Sequence, residues 1–250
     1  MGLKVLVTGG SGEIGRATAL RFSKDGHEVF ITGRSEAKLD ETVNLAKGGG
    51  AVHKSVGDVG VEADVQRNYE EAIKVLGHID VLVLNAGVSW TIPLEDHTAA
   101  DFDKIFNSNV RGAFLWLKAA LPALKKQGYG GQIVFVNSVF GLSPVAPNFS
   151  IYTASKFALT GMAEALRLEV KGTGIKVASV HPGAVDTSIW VSDSFDKTGV
   201  DARKTFGLDL ALQPEDVAGA IATIAYQEPR SNIDLLRIVP SYWAPKKTHA

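Results

Sequence analysis

The chain has 250 residues, a formal net charge of -1, 45% hydrophobic and 21% charged residues, which suits one large α/β domain spanning 1–250 with a sizeable core. That charge, with no long basic run, argues against nucleic acid or an anionic membrane surface as a main partner, and the absence of cysteine excludes disulfides and thiolate chemistry. The six histidines show no metal-ligand spacing, so no metal is expected; no apolar run reaches a membrane span, and a strand-like start at Leu3 leaves no room for a signal peptide, so a cytoplasmic protein is expected.

In chain order, Lys4–Val7 reads as a buried strand and Ile14–Lys24 as a helix. Strand Glu28–Thr32, helix Glu36–Lys47, strand Val52–Val56, helix Val61–Leu76 and strand Asp80–Leu84 follow. A long helical region runs from about Ala99 to Lys126 with Asn109 inside it, then strand Gln132–Val136 and helix Ser150–Lys171. Strand Ile175–Val180, helix Pro214–Tyr226, opened by Pro214 and acids in its first turn, and strand Leu235–Val239 complete the pattern. Strict β-α alternation with continuous apolar strands implies a parallel sheet covered by helices on both faces. The stretch 187–212 is long for a compact domain, and a mobile lid over the substrate is expected there.

Thr8-Gly9-Gly10-Ser11-Gly12-Glu13-Ile14-Gly15 lies between the first strand and the first helix. Glycines there permit a tight turn and close approach of a pyrophosphate to a helix N-terminus, and the context favours nucleotide binding over a merely flexible loop. The second strand ends in Gly33-Arg34, where an NAD-type site would carry an acid for the ribose hydroxyl; Ser35 follows and the nearest acid beyond is Glu36. Arginine pairs well with phosphate, which favours NADP(H), unless Arg34 is only a solvated surface residue. Asp58 follows strand three and Asn85-Ala86-Gly87 follows strand four, both at carboxyl ends where such sheets bind ligands. By itself Asp58 would more often be a helix cap than an adenine contact.

Lys156 lies four residues after Tyr152, one helical turn along the same face. A free phenol has a pKa of about 10, and a nearby ammonium favours the phenolate, so the pair can serve as an acid-base unit. Alone the pattern is weak. With the glycine loop, Asn85-Ala86-Gly87, Asn109, Ser138 and Pro182-Gly183 followed by Thr187, the chain resembles the short-chain dehydrogenase/reductase family over essentially its whole length.

That resemblance implies a doubly wound Rossmann fold with a seven-stranded parallel sheet, assembled as a homotetramer or homodimer. Tyr152 would be the acid in carbonyl reduction and the base in alcohol oxidation, and Ser138 would hydrogen-bond the substrate oxygen. Lys156 would hold the nicotinamide ribose and lower the Tyr152 pKa. Asn109 would kink its helix and hold a water linking Lys156 to solvent. Gly9, Ser11, Gly12, Glu13, Ile14, Gly15, Arg34, Asp58, Asn85, Ala86 and Gly87 would line the cofactor, with Pro182, Gly183, Val185 and Thr187 passing the nicotinamide end. Two positions depart from the family's short form: Glu13 replaces the middle glycine of Thr-Gly-x-x-x-Gly-x-Gly, and Leu84 stands where many members have asparagine. An acid beside phosphates is unfavourable unless it points away. The chain also lacks the Asp-Gly-Gly ending of ketoacyl reductases; its Gln213-Pro214-Glu215-Asp216 helix and 233–240 stretch look more like NADP-dependent reductases of hydroxy acids and assorted carbonyl compounds.

Trp90, Phe140, Phe149 and Trp190 fall in loops expected near the nicotinamide, with His181, Ile189 and Phe206 as further candidates. Such a set suits an apolar carbonyl substrate, unless several are core or interface residues. No arginine stands in 139–148 or 182–190, which disfavours a small carboxylate substrate, although Arg203 and Arg230 remain anion partners to consider. The leading expectation is an NADPH-dependent ketone or aldehyde reductase, reversible as an alcohol dehydrogenase. The alternatives are a non-catalytic NADP-sensing regulator, or an NAD-dependent or hydroxy-acid dehydrogenase of the same family.

Overall fold

Runs of Val, Ile and Leu too short for helices build the sheet. In the computed structural model, which describes residues 2–190 and 208–243, they form β1 Lys4–Thr8, β2 Glu28–Gly33, β3 Val52–Val56, β4 Val81–Leu84, β5 Gly131–Val136, β6 Ile175–Pro182 and β7 Leu235–Ile238. All pair in parallel, in the order β3-β2-β1-β4-β5-β6-β7, as the alternating pattern predicts. The helices between them are α1 Glu13–Lys24, α2 Glu36–Leu45, α3 Glu62–Leu76, α4 Ala99–Phe106, α5 Gly112–Gln127, α6 Ser150–Glu169 and α7 Pro214–Ala225.

Because strand side chains alternate between faces, each strand feeds two cores. Leu6, Phe30, Leu82, Ile133 and Phe135 pack under α3, α5 and α6, around Trp116 and Leu124. Val5, Val7, Ile31, Val83 and Val134 pack on the other face against Phe22, Leu39 and Ile221 of α1, α2 and α7. Each such fully buried aliphatic or aromatic side chain contributes about 1.5–3 kcal/mol.

The region expected as one helix over 99–126 is interrupted. A π-helical turn, Asn107–Arg111, separates α4 from α5. Asn109, 1% exposed, causes it: its Oδ1 accepts from the Val88 N–H at 2.8 Å, and its Nδ2 donates to the Val88 carbonyl at 3.0 Å and to Ser155 Oγ at 3.0 Å. A side chain tied to a loop and to another helix fixes a local register that α-helical geometry alone would not give. The 187–212 excursion leaves and returns through a clamp, with Asp186 N–H donating to the Leu212 carbonyl at 2.8 Å and Leu212 N–H to the Ala184 carbonyl at 3.0 Å. The lid expected between these ends, with Arg203 and Phe206, lies mostly outside the described residues.

Candidate active site

Strand order reverses between β1 and β4, so the loops leaving their carboxyl ends part and open a crevice. Its floor is the glycine loop. Gly9 has φ +70, and a Cβ on Gly15 would lie 2.2 Å from the Gly9 carbonyl oxygen, so both positions require glycine. Gly12 caps α1 without a side-chain acceptor, so a ligand anion can take the first-turn N–H groups. Thr8, absent from the sequence-derived site, holds the two walls together. Its Oγ1 accepts from Asn85 N–H at 2.9 Å and Ala86 N–H at 3.0 Å and donates to the Val83 carbonyl. Asn85 braces the same loop, its Nδ2 donating to the Thr8 carbonyl at 2.9 Å. The residue before the first glycine, small and hydroxylated, was the signal for Thr8.

These walls enclose a groove of about 780 Å³ that runs from Arg34, Ser35, Lys38 and Asp58, past Gly9, Ser11, Gly12, Glu13, Ile14 and Gly15, to Ala86, Gly87, Tyr152, Lys156 and Thr187. Its length, its glycine cradle and its cationic far end fit a dinucleotide. At that end Arg34 and Lys38 are exposed and face the groove together. Lys38 escaped the sequence reading because it belongs to no loop motif; it reaches the groove one turn after Arg34, in the first turn of α2. Glu36, the nearest acid, is held by Lys54 at 3.1 Å. Asp58 is not a helix cap: its Oδ1 accepts from Gly60 N–H at 2.8 Å, while Asp64 accepts from Asp58 N–H at 2.9 Å.

At the other end β5 delivers Ser138 and α6 delivers Tyr152 and Lys156 on one face. Ser138, 7% exposed, caps a short 3-10 turn, Val139–Gly141, with Phe140 N–H donating to its Oγ at 3.3 Å. The Ser138 and Tyr152 side chains both line the smaller cavity, and Ser138 lies where its hydroxyl favours the phenolate. Lys156 is 5% exposed; its Nζ donates to the Val136 carbonyl at 3.1 Å and stands 5.5 Å from the Tyr152 ring centre. Burial pushes the Tyr152 phenol up to about 12, against the Ser138 hydroxyl that pulls it down. Burial likewise pushes the Lys156 ammonium down to about 8. Taking a phenolate out of water is the dominant influence on Tyr152 here. The Asn109 side chain is engaged with Val88 and Ser155 and does not reach out to solvent.

Ser138 and Tyr152 open on a smaller cavity of about 110 Å³ lined by Phe140, Phe149, Ser89, Pro182, Gly183, Val185, Thr187 and Ile189. Phe140 and Phe149 pack at 4.7 Å, and Phe140 meets the Tyr152 ring edge-on at 5.6 Å, so the two phenylalanines fix the phenol from behind. Ser89, 6% exposed and lining both cavities, was not foreseen. Trp90 lines the groove with Tyr152 and Lys156, beneath Lys104 at 5.3 Å, and packs with Ile92, Ile105 and Ile151, apart from the two phenylalanines. Two expectations change. His181 is wholly buried behind the site, its Nδ1–H donating to the Ser138 carbonyl at 2.8 Å; burial and, beyond it, the charge of Lys156 hold its pKa down. Arg230 is exposed ahead of β7, at the amino end of the sheet and away from the cavity. Trp190 ends a 3-10 turn, Ser188–Trp190.

Residues 3–197 match the family model described as short chain dehydrogenase. The chain belongs to that family. It is an oxidoreductase acting between alcohols and carbonyls with a nicotinamide dinucleotide. A glucose 1-dehydrogenase of Gluconobacter oxydans (strain 621H) is 40% identical over 232 residues, 91% of this chain and 86% of that one. Among solved structures, the closed form of a serine dehydrogenase complexed with NADP+ superposes with a TM-score of 0.87 at 27% identity, covering 98% of this chain and 99% of the other. A 3-ketoacyl-(acyl-carrier-protein) reductase from Brucella melitensis complexed with NADH does so with 0.84 at 28% identity, covering 95% and 96%. The short-form Rossmann architecture expected from the motifs is thus the one found.

Proposed function

We propose that this short-chain dehydrogenase is an NADP(H)-dependent reductase of apolar ketones or aldehydes, reversible as an alcohol dehydrogenase, with one domain carrying both the cofactor groove and the substrate loops. The observation that carries it is a groove with Arg34 and Lys38 at one end, where the next acid along the chain, Glu36, is paired with Lys54, and Tyr152 and Lys156 at the other, where Tyr152 and Ser138 share the smaller cavity. The serine dehydrogenase with NADP+ supports this cofactor, whereas the reductase with NADH shows that the fold accepts either.

The glycine loop and α1 N-terminus would hold the pyrophosphate, Arg34 and Lys38 would pair with the adenosine phosphate, and Lys156 would hold the nicotinamide ribose. The chemistry a bound dinucleotide would supply is hydride transfer, to the carbonyl carbon in reduction and from the alcohol in oxidation. Negative charge then grows on the substrate oxygen. Ser138 donates a hydrogen bond to that oxygen and Tyr152 gives it the phenolic proton. Burial keeps Tyr152 protonated at neutral pH, which readies it for reduction. Asn109 fixes the π turn that joins the Val88 loop to α6 and so steadies the ground on which Lys156 stands. Phe140, Phe149 and Ile189 give the substrate an apolar wall.

A panel of aryl, alkyl and hydroxy-acid carbonyls assayed with NADPH and NADH tests the reading. Turnover of apolar carbonyls with NADPH is expected. Turnover confined to carboxylate-bearing substrates, or to NADH, contradicts it.

A further inference from the structure

Glu13 departs from the glycine loop's pattern, and its carboxylate is engaged. Oε1 accepts from the Ser188 N–H at 3.1 Å, a contact across 175 residues of sequence. Both residues line the groove, Glu13 from the nucleotide loop and Ser188 from the segment that continues Thr187 and leads to Ile189. Burial pushes this carboxyl up, but the Ser188 hydroxyl, the backbone N–H groups of Glu13 and Ser188 and the nearby Lys38 charge together hold it below the usual range, so it is an anion at neutral pH.

We infer that Glu13 is a positioning residue that ties the Ser188–Ile189 wall of the substrate cavity to the nucleotide loop while competing with the dinucleotide's phosphates for the positive end of α1. The two effects have separate chemical origins. The tie needs only an acceptor oxygen near Ser188. The competition needs the negative charge, because a carboxylate and a pyrophosphate are both drawn to the same first-turn N–H groups and repel each other. A glycine at this position would give the phosphates the helix end but leave Ser188 N–H without this partner. Glu13 therefore seats one wall of the cavity and weakens cofactor retention, which favours release of the spent dinucleotide.

The inference rests on the dinucleotide groove of the proposed function and not on the choice of NADP(H). The test compares wild type with Glu13→Gln, Glu13→Ala and Ser188→Pro in two readouts. The first is dissociation constants for NADPH and NADH by fluorescence titration. The second is amide hydrogen exchange of peptides spanning 185–190. Glu13→Gln keeps the acceptor and loses the charge, so it should bind dinucleotide about three- to tenfold more tightly with exchange near wild type. Glu13→Ala should bind equally tightly but exchange faster at 188–189. Ser188→Pro, which deletes the donor and keeps the charge, should not gain affinity. Unchanged or weaker binding in Glu13→Gln with a wild-type melting temperature would overturn the competition. Wild-type exchange in Glu13→Ala would overturn the tie. Running both dinucleotides separates failures: a wild-type preference for NADH refutes the NADP(H) reading, while the ratios between variants still report on Glu13.

Discussion

Replacing Arg34 by alanine tests how the groove chooses its cofactor. A hydrogen bond to a charged group contributes about 1.5–3 kcal/mol. Arg34 is exposed, so solvent and salt screening place it near the lower bound, roughly one decade in affinity. Lys38 faces the same end of the groove and should retain part of the preference. Arg34→Ala is therefore expected to raise the NADPH dissociation constant about tenfold and leave NADH within about twofold. Adding Lys38→Ala should remove most of what remains, because an ammonium serves phosphate as a point charge where arginine serves it as a fork. The obvious converse change, Gly33→Asp, is less simple than the sequence suggests: a Cβ there would meet Ser11 Oγ at 2.6 Å and Leu39 at 3.4 Å, so Ser11 must turn away first. The assay is kcat/KM for both dinucleotides in wild type, the single variant and the double variant, at two ionic strengths. An unchanged NADPH/NADH ratio in the double variant would refute the reasoning.

Three further outcomes are expected. With Tyr152 pushed up to about 12 by burial, the acid is loaded at neutral pH, so kcat/KM for reduction should be level through neutrality and fall as pH rises. Oxidation, which needs the deprotonated base, should rise over the same range; a reduction rate that climbs with pH would contradict the assignment, the Tyr152 and Lys156 titrations being read as one coupled pair. Lys156→Met should lower both turnover and dinucleotide affinity, measured by steady-state kinetics and titration, since its buried ammonium is placed for two tasks. Gly15→Ala forces a methyl to 2.2 Å from the Gly9 carbonyl, so it should cost about 1–3 kcal/mol, read as a melting temperature lower by about 2–4 °C per kcal/mol, and should abolish measurable cofactor binding.

The sheet was legible because the strands are short apolar runs bounded by turn residues, and several helix starts carry a local signal such as Pro214 or the Thr98–Asp101 capping box. The break in the predicted 99–126 helix was not legible. Asn109 reads as an ordinary polar helix residue until the fold brings Val88 and Ser155 to it. The Ser138, Tyr152 and Lys156 constellation was visible as motif spacing, whereas their protonation behaviour was not, because burial is a property of the packed site. Lys38 and Thr8 were missed for opposite reasons: one reaches the groove from a helix turn, and the other works through backbone N–H groups 77 and 78 residues away. Sequence placed Trp90 in a loop near the groove but not on the bank to which its ring turns.

The most direct test of the central claim is single-turnover and steady-state reduction of a carbonyl substrate by Tyr152→Phe. The variant keeps the ring that packs on Phe140 and loses only the hydroxyl, which faces the same cavity as Ser138. Turnover should fall by roughly two to four decades, with NADPH affinity within a few-fold of wild type. A Tyr152→Phe enzyme that retains near-wild-type turnover would contradict the account.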